Sequence, residues 1–280
     1  MLEQIRKSYL FQTGSIETIE KLNYINYHAI TLKSTIVKIS YTNKNGEHMK
    51  FVIIGSDAAG MSATSRDKRK DPNFDVLEGV QTMCQMFWGP DSESCRQMME
   101  GNYFHPFEVI FTGSEAKSSV LLDNINSIIK KFDTHQSFFD HLNECYVRLF
   151  VNCKEGIVAP LYESCYEFEN APMMGRSAVE MTQRFKSKGL SMENIVHEPP
   201  DHLAVELEYL FFLLQQEDEL ILDEAASFAG ETMLPWVKDF NQRLKSGGED
   251  CRFYSLVTGI LVLLLELIPT KQNGSGQSHL

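Results

Sequence analysis

From about residue 76 onward the apolar residues recur every three or four positions and hardly anywhere alternate. Such a pattern hides its apolar side only as a set of amphipathic helices packed on one another. The predicted helices run over Val76 to Phe87, Ser92 to Glu100, Leu121 to Phe132, Phe138 to Asn152, Gly175 to Lys188, Leu220 to Lys245 and Arg252 to Ile268, with another opening at Leu203. In that last one, Leu203, Leu207, Leu210 and Leu214 share a face, and Glu206, Glu208 and Gln215 fall elsewhere round the wheel. Breaks fall at Gly89-Pro90, Gly101, Gly156, Ala171-Pro172, Gly189, Pro199-Pro200 and Gly247-Gly248, as loops between neighbouring helices require. Residues 76–270 are therefore expected to be an all-α bundle. The tail 271–280, with Asn273-Gly274-Ser275-Gly276, offers no apolar face and is expected to be disordered.

The most apolar segment, Phe253 to Ile268, contains Ser255, Thr258, Gly259 and Glu266. It falls short of the ~20 apolar residues of a bilayer span, so it reads as a buried core helix with no stable membrane insertion. The opening residues lack the continuous apolar stretch of a secretory signal, and a cytoplasmic location is expected. Six cysteines, Cys84, Cys95, Cys145, Cys153, Cys165 and Cys251, include no CxxC pair, which suits a reducing compartment.

Residues 1–75 differ in kind. They carry 11 basic and 8 acidic residues, against 15 and 30 in the remainder, and the whole chain has a formal net charge of −12. Such an acidic average repels a phosphate backbone, so no nucleic-acid partner is expected. Ile36, Val37, Ile39 and Tyr41, then Asn45-Gly46, then Phe51-Val52-Ile53-Ile54 predict a β-hairpin. The second run continues into Gly55-Ser56-Asp57-Ala58-Ala59-Gly60, a glycine turn of the kind that lets helix-terminal amides face a pyrophosphate. With Phe74 to Leu77 read as a second strand, Glu78 falls where an acid would grip a ribose hydroxyl. From Lys50 to Glu78 the chain resembles the opening of flavin-dependent pyridine-nucleotide disulfide oxidoreductases. That resemblance makes Gly55, Gly60 and Glu78 the candidate nucleotide-binding residues of an oxidoreductase fragment or remnant. Asp57 replaces the middle glycine, and neither a third strand nor a redox cysteine follows.

No metal or catalytic constellation is legible elsewhere. His197 and His202 are separated by Glu-Pro-Pro-Asp rather than set in HExxH, and Ser164 lies in Glu-Ser-Cys rather than in a Gly-x-Ser-x-Gly elbow. The most informative segment is Glu198-Pro199-Pro200-Asp201-His202-Leu203. Two prolines impose an extended approach to a helix, with Asp201 placed as its N-cap and His202 in its first turn.

This segment resembles the Pro-Asp-His-Leu signature of the TorD/DmsD/NarJ family of molybdoenzyme chaperones. The resemblance extends through Leu161-Tyr162-Glu163-Ser164-Cys165-Tyr166, Met174-Gly175-Arg176, Met233-Leu234-Pro235-Trp236 and Phe253-Tyr254, covering residues 76–270. It implies a non-enzymatic protein with no cofactor of its own, which holds a molybdopterin oxidoreductase apoprotein by its twin-arginine signal peptide, with cofactor-insertion machinery as a further partner. A second client class within the resemblance is a nitrate-reductase-like subunit lacking the arginine pair. By the same carry-over, the signal-peptide-binding residues are Glu198, Pro199, Pro200, Asp201, His202 and Leu203, with Tyr162, Ser164 and Tyr166 from the upstream loop.

Overall fold

The structure is a computed structural model that describes residues 37–42, 48–53, 74–113, 116–151, 156–192, 198–216 and 218–274. Near the N-terminus, β1 (Val37–Thr42) pairs antiparallel with β2 (His48–Ile53), in a register from Val37 opposite Ile53 to Thr42 opposite His48. A two-residue strand, β3 (Ser191–Met192), pairs antiparallel with the other edge of β1, giving the order β2-β1-β3.

The helical body follows. Its helices are α1 (Phe74–Trp88), α2 (Ser92–Glu100), α3 (His105–Ile110), α4 (Ala116–Ile129), α5 (His135–Tyr146), α6 (Arg176–Ser187), α7 (Leu203–Leu214), α8 (Glu219–Ser227), α9 (Leu234–Leu244) and α10 (Arg252–Gly274). Asp91 caps α2 by accepting from the Ser94 amide, and Gly101 ends it with φ 85°, a left-handed conformation that a side chain would resist.

Several boundaries depart from the sequence reading. Phe74 to Leu77 is the first turn of α1 and not a strand, because Val76, Val80, Met83 and Phe87 line up at helical spacing on the core. Glu78 consequently sits on a helix. Burial raises its carboxyl above the ordinary value, the Asp75 charge adds to this, and His105 opposes it. The strand ahead of it, β2, is one arm of an antiparallel pair, whereas a dinucleotide fold needs parallel strands joined by crossovers. The ribose-binding role predicted for Glu78 therefore loses its framework. Gly55 and Gly60 lie outside the described residues.

Residues 220–245 are interrupted, with α8 giving way to a π turn at Phe228–Met233 before α9 begins. Pro235 has no N–H to return to the Glu231 carbonyl, and a widened turn absorbs the missing bond. Likewise α5 stops at Tyr146 and continues as a π turn over Val147–Val151. Helix α3 has no counterpart in the sequence reading. At the far end α10 runs through Gly274, so residues 271–274 are helical and not a disordered tail, each adding one bond to an already nucleated helix. Residues 275–280 lie outside the described residues.

The core gathers around α7 and α10. In α7 every residue but Phe211 is buried, so it is a central helix and not an amphipathic one at the surface. Among the described residues, α10 alone is long and apolar enough to cross a membrane. Phe253, Tyr254, Val257, Ile260, Leu261, Leu264 and Leu265 nevertheless bury it against its neighbours, α9 and α4 among them.

Candidate functional site

Two extended segments meet where the Pro-Pro-Asp-His sequence enters α7. Residues 161–163 run beside 201–203: Leu203 N–H donates to the Leu161 carbonyl at 2.8 Å, and Glu163 N–H donates to the Asp201 carbonyl at 3.0 Å. Tyr162 and His202 form an isolated antiparallel bridge between them. The prolines leave few backbone donors in the approach, and a turn closed by His202 N–H on the Pro199 carbonyl brings the chain round into the helix.

The N-cap is His202 and not Asp201. His202 has the extended conformation of a cap, φ −73° and ψ 136°, and its Nδ1 accepts from the Ala204 amide at 3.2 Å. Its ring stacks on Trp88 at 5.1 Å between centroids and meets Tyr162 edge-on at 5.3 Å. Burial alone pulls the imidazole down to about 3, so it is neutral, with Nδ1 as the acceptor. The pairing of the two segments turns Asp201 away from α7, and its Oδ2 accepts from the Ser164 amide at 3.0 Å. It thereby caps the short 3₁₀ turn Glu163–Tyr166.

The other predicted residues divide into a buried set and a rim. Asp201, His202, Leu203 and Ser164 are buried. Glu198, Pro199, Pro200 and Tyr162 are half-buried, and the Tyr162 hydroxyl donates to Glu198 Oε2 at 2.7 Å. Tyr166 is also half-buried: its hydroxyl donates to the Pro160 carbonyl at 2.9 Å, and the Arg243 guanidinium lies 4.1 Å over its ring.

Sequence reasoning missed the acids of α7. Glu206 and Glu208 are buried in the core, and each receives an indole N–H from one of the chain's two tryptophans. Trp88 donates to Glu208 Oε1 at 2.9 Å from α1, and Trp236 donates to Glu206 Oε2 at 3.1 Å from α9. Burial pushes Glu208 up to about 8. Burial lifts Glu206 well above the carboxylate range, and the neighbouring Glu163 charge raises it further. Glu163 itself is pushed up to about 7, chiefly by burial. The available signal was compositional, since two lone acids stand in the otherwise apolar run Leu203 to Leu214 of a chain with two tryptophans.

Four of the seven buried side-chain atoms without a hydrogen-bond partner among the described residues lie here: Ser164 Oγ, Asp201 Oδ1, Glu206 Oε1 and Glu208 Oε2. That concentration marks the α7 entrance as the place where polar capacity exceeds what the fold itself uses. Ser164 Oγ has no base bonded to it, and no group of three or more His, Cys, Asp or Glu among the described residues is arranged to hold a metal ion.

A loop leads from this latch to α6. Glu167 Oε1 accepts from the Ser177 amide at 2.7 Å and so caps α6, and Gly175 packs directly against Glu167 and Ser164. Between them the loop exposes Phe168 by 61%, Met173 by 52% and Met174 by 63%. Asn170 at φ 59° and Met174 at φ 63° both hold left-handed backbone, a conformation that costs a residue with a side chain about 1 kcal/mol or more.

Known proteins share this chain's pattern. The family model for the nitrate reductase delta subunit matches residues 121–242. The chaperone protein TorD of Aliivibrio fischeri is 28% identical over 177 residues, spanning 58% of this chain and 80% of its own. The chlorate reductase assembly chaperone of Ideonella dechloratans is 30% identical over 110 residues, 35% of this chain and 57% of its own. A solved structure described as a redox enzyme maturation protein from Archaeoglobus fulgidus is 17% identical with a TM-score of 0.39, covering 77% of this chain and 99% of that one, and carries no argument at that distance. The helical body is thus similar in sequence to proteins named as chaperones, one of them for the assembly of a reductase. Over its helical body the chain is similar to TorD chaperones and to the nitrate reductase delta subunit family.

Proposed function

We propose that this chaperone captures the N-terminal twin-arginine signal peptide of a molybdopterin oxidoreductase apoprotein in the cytoplasm, holds it until cofactor insertion, and performs no chemistry of its own. The observation that carries the reading is the loop of Phe168, Met173 and Met174, which leaves large apolar side chains in water beside the exposed carboxylates of Glu167 and Glu169. Exposed apolar clusters rimmed by charge mark interaction sites. A signal peptide presents the complement, an arginine pair followed by an apolar stretch able to form a helix.

In this arrangement Glu198, Pro199, Pro200 and Tyr162 form the rim that meets the peptide, with the Glu198 carboxylate suited to a guanidinium. Asp201, His202, Leu203 and Ser164 act as positioning residues, since they are buried and fix the loop on α7. Tyr166 supports the same turn from beneath. Docking of cofactor-insertion machinery is a further partner of this reading. The family model for the nitrate reductase delta subunit favours a second client class, a cytoplasm-facing subunit whose N-terminal segment lacks the arginine pair.

Titration of fluorescent peptides tests this. An Arg-Arg signal peptide is expected to bind, with Lys-Lys replacement weakening it, and joint replacement of Phe168, Met173 and Met174 by Ser should weaken it at least about tenfold, or 1.4 kcal/mol. Equal affinity for a peptide without the arginine pair would move the client to the second class. Unchanged affinity in the triple variant would remove the loop from the binding surface.

A further inference from the structure

A second cluster of reactive side chains lies away from the α7 entrance, where the end of α5 meets the start of α10. Cys145 is one residue from the end of α5, and Cys251 immediately precedes the 23 residues of α10. The two side chains act on one another, raising the Cys145 thiol and lowering that of Cys251. The Cys145 thiol donates to the carbonyl of Asp250, the residue before Cys251, at 3.5 Å and lies 3.8 Å from His141 Nε2. Arg148, in the π turn after α5, places its Nη2 2.8 Å from Cys251 Sγ, and its Nε is buried without a partner.

These neighbours act on the two thiols in opposite senses. A guanidinium and the N-terminal end of a long helix both stabilise a thiolate. Hydrogen bonding from Cys145 and the charge of Arg148 accordingly hold Cys251 below the ordinary thiol range, although burial opposes them. The same contact, with burial, holds Cys145 far above that range. At the other described cysteines burial dominates, even at Cys165, where the Arg243 charge opposes it. Burial raises Cys84, Cys95 and Cys165, with Cys95 reaching about 12. Cys251 is 1% exposed and Cys145 is 2% exposed, so the pair is closed to bulky reagents. On one side the pair meets the half-buried Arg148 and the turn Glu249–Cys251, in which Glu249 and Asp250 are exposed.

We propose that Cys251 and Cys145 form a peroxide-reactive pair, in which Cys251 is the attacking thiolate and Cys145 the resolving thiol. In the first step the Cys251 sulfur attacks one oxygen of hydrogen peroxide. An S–O bond forms, the O–O bond breaks, and the departing hydroxide takes a proton from water or buffer, leaving a sulfenic acid on Cys251. In the second, the Cys145 sulfur attacks the Cys251 sulfur as its own proton passes to the leaving hydroxyl. An S–S bond forms, the S–O bond breaks, and water departs. Two thiols lose two electrons in all, and one peroxide is reduced to two waters. The resulting disulfide would tie α5 to the head of α10, and a cytosolic thiol such as glutathione would reverse it by exchange.

The test is peroxide treatment of the full-length protein, followed by denaturing alkylation and peptide mass spectrometry. The expected product is a cross-linked peptide pair joining Cys145 to Cys251, formed at least about tenfold faster than any oxidation of Cys84, Cys95 or Cys165. Cys145→Ser should stop at a Cys251 sulfenic acid that dimedone captures, and Arg148→Gln should slow formation of the cross-link several-fold. If a serine variant does not fold, the wild-type protein still decides through its internal cysteine controls. Oxidation of Cys251 no faster than that of Cys84, Cys95 and Cys165, or the absence of the linked peptide, overturns the proposal.

Discussion

Glu208 shows what burial does to a single side chain at this entrance. It accepts from the Trp88 indole and from the Cys84 thiol on the same oxygen, leaving Oε2 without a partner. Its carboxyl stays protonated in the fold up to about pH 8, whereas a free glutamate ionises near 4.5. Between those values the unfolded chain holds fewer protons than the native one, so stability falls as pH rises through the interval. Glu163 acts in the same direction up to about pH 7. His202 acts oppositely: it is neutral in the fold down to about 3 but takes a proton below 6.5 when unfolded, so stability falls as pH drops from 6.5 toward 3. We expect Glu208→Gln to shrink the loss of stability between about pH 5.5 and 8.5, because Gln keeps the acceptor and cannot ionise. Urea midpoints across that range measure the effect, and a pH profile parallel to wild type would contradict it.

Between elements, the α7 entrance is held by unlike bonds that converge on one helix. Backbone pairing joins residues 161–163 to 201–203, the Asp201 carboxylate caps the 3₁₀ turn, and the two indoles tie α1 and α9 to α7. Asp201→Ala strands the buried Ser164 amide, and we expect a loss of about 1–3 kcal/mol, seen as a lower urea midpoint at constant m-value. Asp201→Asn restores an acceptor and should recover more than half of that loss. If Ala and Asn behaved alike, the carboxylate would not be the cap of that turn. The same elements show how far a sequence pattern reaches. Periodicity located α2 residue for residue and the start of α10, because those helices have capping residues or sharp compositional edges. It joined α8 to α9, since apolar spacing continues across the π turn and only the lost N–H of Pro235 interrupts the ladder. It also placed the N-cap at Asp201, one residue early, because the partner that draws the carboxylate away lies on a distant loop.

For the whole molecule, the relevant property is charge. With a formal net charge of −12, carried entirely by the residues after 75, the protein has the field that the proposed capture of a basic leader would use from a distance. That attraction acts mainly on the association rate, so the on-rate for an Arg-Arg peptide should fall roughly tenfold between about 0.01 M and 0.3 M salt, with a smaller change in the off-rate. Stopped-flow mixing at several salt concentrations measures both, and an on-rate indifferent to salt would remove the acidic field from the mechanism.

The order of residues alone determined that a helical body follows residue 75 and that the Pro-Pro-Asp-His junction stands out within it, because periodicity and proline chemistry are local properties of the chain. The resemblance of that junction to a chaperone family was legible at the same level. Tertiary structure decided which of the junction's residues meet solvent, turning Asp201 and His202 inward and leaving Glu198, the prolines and Tyr162 at the rim. It also brought Glu206 and Glu208 into the core beneath the tryptophans, and Cys145 against Cys251. Burial and pairing between distant segments depend on how helices pack in three dimensions, and no periodicity in a single segment encodes its neighbour.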